Sequence, residues 1–199
     1  MITRKEREAR TVDQTALVAE EKVRLGRHGD ELRRLLKAAC LSGTVFFRGD
    51  DRSPGENVAD VGRAAADVLG QALPEVFDRF HEAAARVQKK DLDSVLTSEN
   101  LHGLTPVCTV LGLLRDEKGK PVFRTDINPL AEVLLRIENR ASYGDSASGK
   151  YLADEFAREP FGWDFDVVRL LVACLLRAGR VEAVSKGQTI DTALSVEAR

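Results

Sequence analysis

The 199 residues are 43% hydrophobic, enough to bury a core in one or two domains and too much for a chain that stays disordered. Thirty basic residues against 32 acidic leave a net charge of −2, which excludes a strong overall field toward nucleic acid or an anionic membrane and confines any basic surface to a local patch. Residues 1–15 (MITRKEREARTVDQT) are too polar for a signal peptide, and the longest apolar run, VVRLLVACLL, is short and broken by Arg169, so a soluble, cytoplasmic protein is expected.

Residues 12–40 mix leucines and charges at helical spacing, with Leu32, Leu35, Leu36 and Ala39 on one apolar face, and Gly26 and Gly29 are candidates to break the helix in two. The helix should stop near Ser42-Gly43, after which TVFFRG (Thr44 to Gly49) reads as a strand and DDRSPGEN as a loop. Residues 56–70 and 75–88 read as helices separated around Leu73-Pro74, where the proline suits a first turn. Short helices are expected near 91–97 and 105–112, then a hairpin turning at Glu117 to Gly119, then a helix from Pro129 to Ala141. In the last third a helix from Gly149 to Arg158, the turn EPFG and a long helix from Trp163 to Ala178 follow one another. Gly179 ends the long helix, and RVEAV and TIDT pair as a hairpin across Ser185-Lys186-Gly187-Gln188.

The predicted class is therefore mainly α with small β-hairpins. Three helices followed by a hairpin is the order of a winged helix-turn-helix module, expected at the C-terminus, with a shorter version of the same theme in the middle. The chain would divide into a helical region 1–88 with a short strand, a helix-plus-hairpin module 89–127, and a C-terminal module 128–199. Helix then SGTVFFRG at 28–49 reads as the remnant of a third such piece.

The octet GDSASGKY, Gly144 to Tyr151, has the spacing of a phosphate-binding P-loop, with Tyr151 where the pattern asks for Ser or Thr. A P-loop hangs from a buried strand that aims its backbone N–H groups at the phosphates. Here the residues before it, LLRIENRASY, have helical spacing, and Tyr151 offers Mg²⁺ no small hydroxyl. The expected role is a connector between helices, with Gly144 turning the chain and Ser148 capping the next helix.

Cys40, Cys108 and Cys174 are odd in number and lie in apolar runs, the pattern of free buried thiols. His28, His81 and His102 are far apart, and no carboxylate pair stands out, so no catalytic, cofactor or metal residues are assigned. For nucleic acid the candidates are Arg169, Arg177, Arg180 and the hairpin-tip Lys186. At about 100° per residue, Asp166, Arg169, Ala173, Arg177 and Arg180 share an arc of about 80° on a helix that is otherwise apolar. The competing reading of this strip is a solvated face with an Asp166–Arg169 surface pair. Phe161 and Trp163, beside Pro160, are expected to pin the turn between two helices.

The runs RASYGDSASGK, EPFGWDFDVVRLLVACLLRAG and VEAVSKGQTID resemble a region of the large P-loop ATPases of bacterial BREX anti-phage systems, the BrxC proteins, and their PglY relatives. The likeness extends upstream through LSGTVFFRG, DLDSVLTSENLHGLTPVCTVLGLLRDEKGKPVFRTD and PLAEVLLRIENRA. It implies a piece of a much larger protein whose ATPase module lies elsewhere, acting with other BREX components, a DNA methyltransferase among them, to tell self from phage DNA. The expectation is a non-catalytic segment for assembly, self-association or contact with double-stranded DNA, with no cofactor. The alternatives are an autonomous winged-helix DNA-binding regulator and an unrelated helical interaction scaffold.

Overall fold

A computed structural model describes residues 4, 11–185, 187–190 and 194. The chain divides into two compact units, Met1–Leu73 and Pro74–Arg199.

In the first unit, Thr11 opens helix α1, Val12–Ser42, with a capping box: its hydroxyl accepts from the Gln14 N–H at 3.2 Å while the Gln14 side chain accepts from the Thr11 N–H at 3.3 Å. The helix continues through Gly26 and Gly29. An exposed glycine costs a helix about 1 kcal/mol, short of what breaks a long one. No residue of α1 is buried. The chain leaves it at Gly43, where a Cβ would collide with the Ala39 carbonyl.

Strand β1, Val45–Phe47, pairs antiparallel with β2, Asp50–Arg52, in the register Val45↔Arg52 and Phe47↔Asp50. The sequence reading had placed a loop at Asp50. The missed signal is Arg48-Gly49, both left-handed at φ 54° and 95°, the geometry of a two-residue hairpin turn. Helix α2, Val61–Val76, starts where Asp60 accepts from the Arg63 N–H at 3.1 Å, later than the expected residue 56. It buries Ala64, Val68 and Ala72 along one face. Arg52 is buried and donates to the Gln71 carbonyl at 2.9 Å, and Asp67 accepts from the Gly55 N–H at 2.6 Å, tying hairpin and following loop to α2. Pro74 lies inside the last turn of α2 and does not start a new helix. The expected helix 75–88 is replaced by a 3₁₀ turn, Phe80–Ala83, and an extended run over 84–88.

The second unit gathers around one core. Helices α3 (Lys89–Thr97), α4 (Pro106–Val110), α5 (Leu130–Ser142), α6 (Gly149–Phe156) and α7 (Phe165–Arg177) follow in order. Hairpin β3–β4 (Leu114–Glu117, Lys120–Phe123) stands between α4 and α5, and β5–β6 (Ala183–Ser185, Gln188–Ile190) follows α7. This core runs from Ala83 to Ile190.

Helix α7 is its centre, packing against α3, α5 and α6. It buries eight side chains, from Val167 round to Leu176, because its sequence is apolar on nearly every face. Asp164 caps its start, accepting from the Asp166 N–H at 2.8 Å. Gly179, at φ 65°, closes its end as the Gly179 and Arg180 N–H groups donate to the Leu176 and Leu175 carbonyls. Each of the three hairpins follows a helix and forms its own two-stranded sheet. The tip of the last includes Lys186, outside the described residues, as are Asp191 and Thr192 of the expected second strand.

Candidate functional site

The octet joins α5 to α6. Gly144 takes φ 79° and donates to the Ala141 carbonyl at 2.9 Å, closing α5. The Ser148 hydroxyl accepts from the Tyr151 N–H at 3.1 Å and opens α6. Arg140 fastens the connector. Its guanidinium lies 3.4 Å from Asp145, donates to the Ser146 carbonyl at 3.4 Å, and sits 4.5 Å from the centre of the Tyr151 ring. The residue that departs from the P-loop pattern is thus the one that receives this arginine. Lys150 is exposed in the first turn of α6.

The arginine strip separates into different environments. Arg169 is exposed, with its guanidinium 3.1 Å from Asp166 and 5.5 Å from the Phe165 ring centre. Ala173, counted on the polar strip, is buried. Arg177 turns inward: it donates to the Val95 carbonyl at 2.5 Å and to the Ser98 carbonyl, groups at the end of α3 that have no helical partner. Burial lowers its pKa somewhat, with Cys174 acting weakly the other way, and a guanidinium stays charged regardless. Arg180 is exposed just before β5. Lys186 lies outside the described residues.

Beneath this surface the polar groups serve the core. Phe156 and Trp163 stack with centroids 4.8 Å apart, Phe161 meets both edge-on, and the indole N–H of Trp163 donates to the Arg79 carbonyl at 3.1 Å. Arg79 covers the Phe161 ring at 4.6 Å and pairs with Glu82 at 2.9 Å and Glu132 at 3.0 Å. The Glu82 hydrogen bond is the main cause of its raised pKa. Arg136 extends the network to Glu132 at 3.2 Å and Glu155 at 3.4 Å. Asp91 is buried between the Thr105 hydroxyl and the Gln88 N–H, the latter at 2.8 Å. The Thr105 bond chiefly lowers its pKa, against the opposing effect of burial. Asp91 and Thr105 border a cleft of about 500 Å³ with Arg86 and Lys90, but both Asp91 oxygens are engaged inside the fold. Cys108 and Cys174 are both buried thiols, and the interaction with Cys108, followed by burial, holds the Cys174 thiol high. Cys40, expected to be buried, is exposed on α1. All three histidines are exposed, and among the described residues no group of three or more His, Cys, Asp and Glu could hold a metal ion. No helix among the described residues is long and apolar enough to cross a membrane.

Helix α1 presents an exposed apolar stripe. On α1, Leu17, Leu25, Leu32, Leu35 and Leu36 are each more than half exposed, and Phe46 on β1 is 74% exposed. The sequence reading found the Leu32–Ala39 part of this stripe. Its upstream continuation, Leu17, Val18 and Leu25, reaches Leu32 only by seven-residue steps, because the turns between carry Glu21, Lys22, His28 and Gly29. No family model, no curated protein and no solved structure matches the chain.

Proposed function

We propose that this chain is a non-catalytic assembly segment of a BrxC-like BREX defence ATPase, and that α1 is its principal contact face. The observation that carries the contact role is a 31-residue helix with no buried residue and a line of exposed leucines. Helices in water draw most of their stability from burying an apolar face, and an exposed stripe of this kind marks an interaction site. The BREX assignment rests on the wording of RASYGDSASGK, EPFGWDFDVVRLLVACLLRAG and VEAVSKGQTID. The geometry of Gly144 to Tyr151 supports a nucleotide site located elsewhere in such a parent, since Ser148 caps a helix and Tyr151 receives Arg140.

The test is co-expression with the BREX methyltransferase and its companion components, followed by purification on the tagged chain. Stoichiometric co-purification, lost in a Leu32→Asp/Leu36→Asp variant, is expected. No association, or micromolar ATP binding by the chain that Lys150→Ala removes, would overturn the proposal.

A second reading, winged-helix contact with duplex DNA, is favoured by Arg169 and Arg180, both exposed, one on α7 and the other between α7 and β5. It predicts salt-sensitive binding of labelled duplex that Arg169→Ala/Arg180→Ala weakens, with Arg177 left intact to preserve the fold. Absence of binding at low salt removes it.

A further inference from the structure

We infer that the partner of α1 is α1 of a second copy, lying antiparallel. This rests on the reading of α1 as a contact face and names its occupant. At about 100° per residue, Leu17, Val18, Leu25, Leu32, Leu35 and Leu36 fall within an arc of about 100° that runs along most of the helix. Five of the six are 51–62% exposed.

Charge selects the occupant and its direction. From Val12 to Glu21 the helix carries Asp13, Glu20 and Glu21 and no basic residue. From Lys22 to Cys40 it carries Lys22, Arg24, Arg27, Arg33, Arg34 and Lys37 against only Asp30 and Glu31. Those two acids are already engaged within the helix, Asp30 with Arg33 and Glu31 with Arg34, each at 2.7 Å. A parallel pair would set acidic end on acidic end and basic on basic. An antiparallel pair sets unlike ends together, and the opposed helix dipoles add to the preference.

Centring the two-fold between residues 26 and 27 places Leu17 opposite Leu36 and Val18 opposite Leu35 of the second copy, with Leu25 level with His28 and Leu32 with Glu21, so the apolar contact is concentrated toward the two ends of the pair.

Light scattering on the eluting intact chain over a range of concentrations tests the pairing. A mass approaching twice 21.9 kDa is expected, reverting to monomer in Leu32→Asp/Leu36→Asp while emission from Trp163, the one tryptophan, stays that of the folded second unit. The exposed Cys40 reports direction. In a parallel pair the two Cys40 side chains lie at one level on opposite flanks of the seam, within reach of a bifunctional maleimide that links them. In the antiparallel pair they are about 40 Å apart at about 1.5 Å per residue, so the wild type gives no cross-link. Thr15→Cys, on the same flank of the stripe as Cys40, restores one. A monomer at every concentration, a dimer indifferent to the leucine substitutions, or a Cys40–Cys40 cross-link in the wild type overturns the inference. A monomer that still binds BREX components through α1 overturns only the self-pairing and leaves the assembly role standing.

Discussion

Arg177 shows how a cation on a helix surface becomes structural. By position on α7 it belongs with Arg169, yet its guanidinium reaches the Val95 and Ser98 carbonyls at the end of α3, about eighty residues earlier in the chain. Truncation removes two charge-assisted bonds and orphans carbonyls at a helix end, so Arg177→Ala should lose about 1.5–3 kcal/mol in urea unfolding, whereas Arg169→Ala should leave the midpoint unchanged. Asp91 sets a second residue-scale expectation. Its folded pKa lies below its unfolded value of about 3.9, held there first by the Thr105 hydroxyl and then by the Gln88 N–H. A depressed carboxylate contributes stability above its unfolded pKa and loses it as pH falls through the folded one. The thermal midpoint should therefore drop on acidification below about pH 4, and the Asp91→Asn variant should start lower and vary less over that range.

At the scale of elements, the turn between α6 and α7 depends on Gly162. It sits at φ 62°, and a Cβ would approach Phe77 Cδ1 to 2.7 Å. Gly162→Ala combines a left-handed backbone with a collision against the Phe77 ring and should cost more than about 1 kcal/mol of unfolding free energy. Elements with local signals were legible from the sequence: Ser148 before α6, Gly179 after α7, and the Lys118-Gly119 turn of β3–β4 all lie where their residue types put them. Three misreadings have physical causes. Gly26 and Gly29 read as breaks, but they lie in an exposed helix with nothing pressing on it. Pro74 read as a start, but it lies two residues before the end of α2, where its missing N–H forfeits a single helical bond, to the Gly70 carbonyl. Asp50-Asp51-Arg52 read as loop because its residues are charged, yet β2 forms because Arg48-Gly49 turns the chain and Arg52 finds the Gln71 carbonyl. Long-range partners such as these leave no trace in spacing.

The molecule as a whole has one unit with a continuous core, Pro74–Arg199, and another, Met1–Leu73, whose longest helix buries nothing. The candidate site was half legible for the same reason: the strip on α7 could be counted from its angular positions, but the capture of Arg177 by α3 could not. The leucines near residue 32 were visible, while their lack of any cover is a tertiary fact. The contact role of α1 is the central claim, and hydrogen exchange over residues 12–42 tests it most directly. In the chain purified from cells co-expressing the BREX components, α1 amides from Leu17 to Ala39 should exchange slowly, and Leu32→Asp/Leu36→Asp should make the same amides exchange fast. Equally fast exchange in both proteins, at every concentration, would contradict the account.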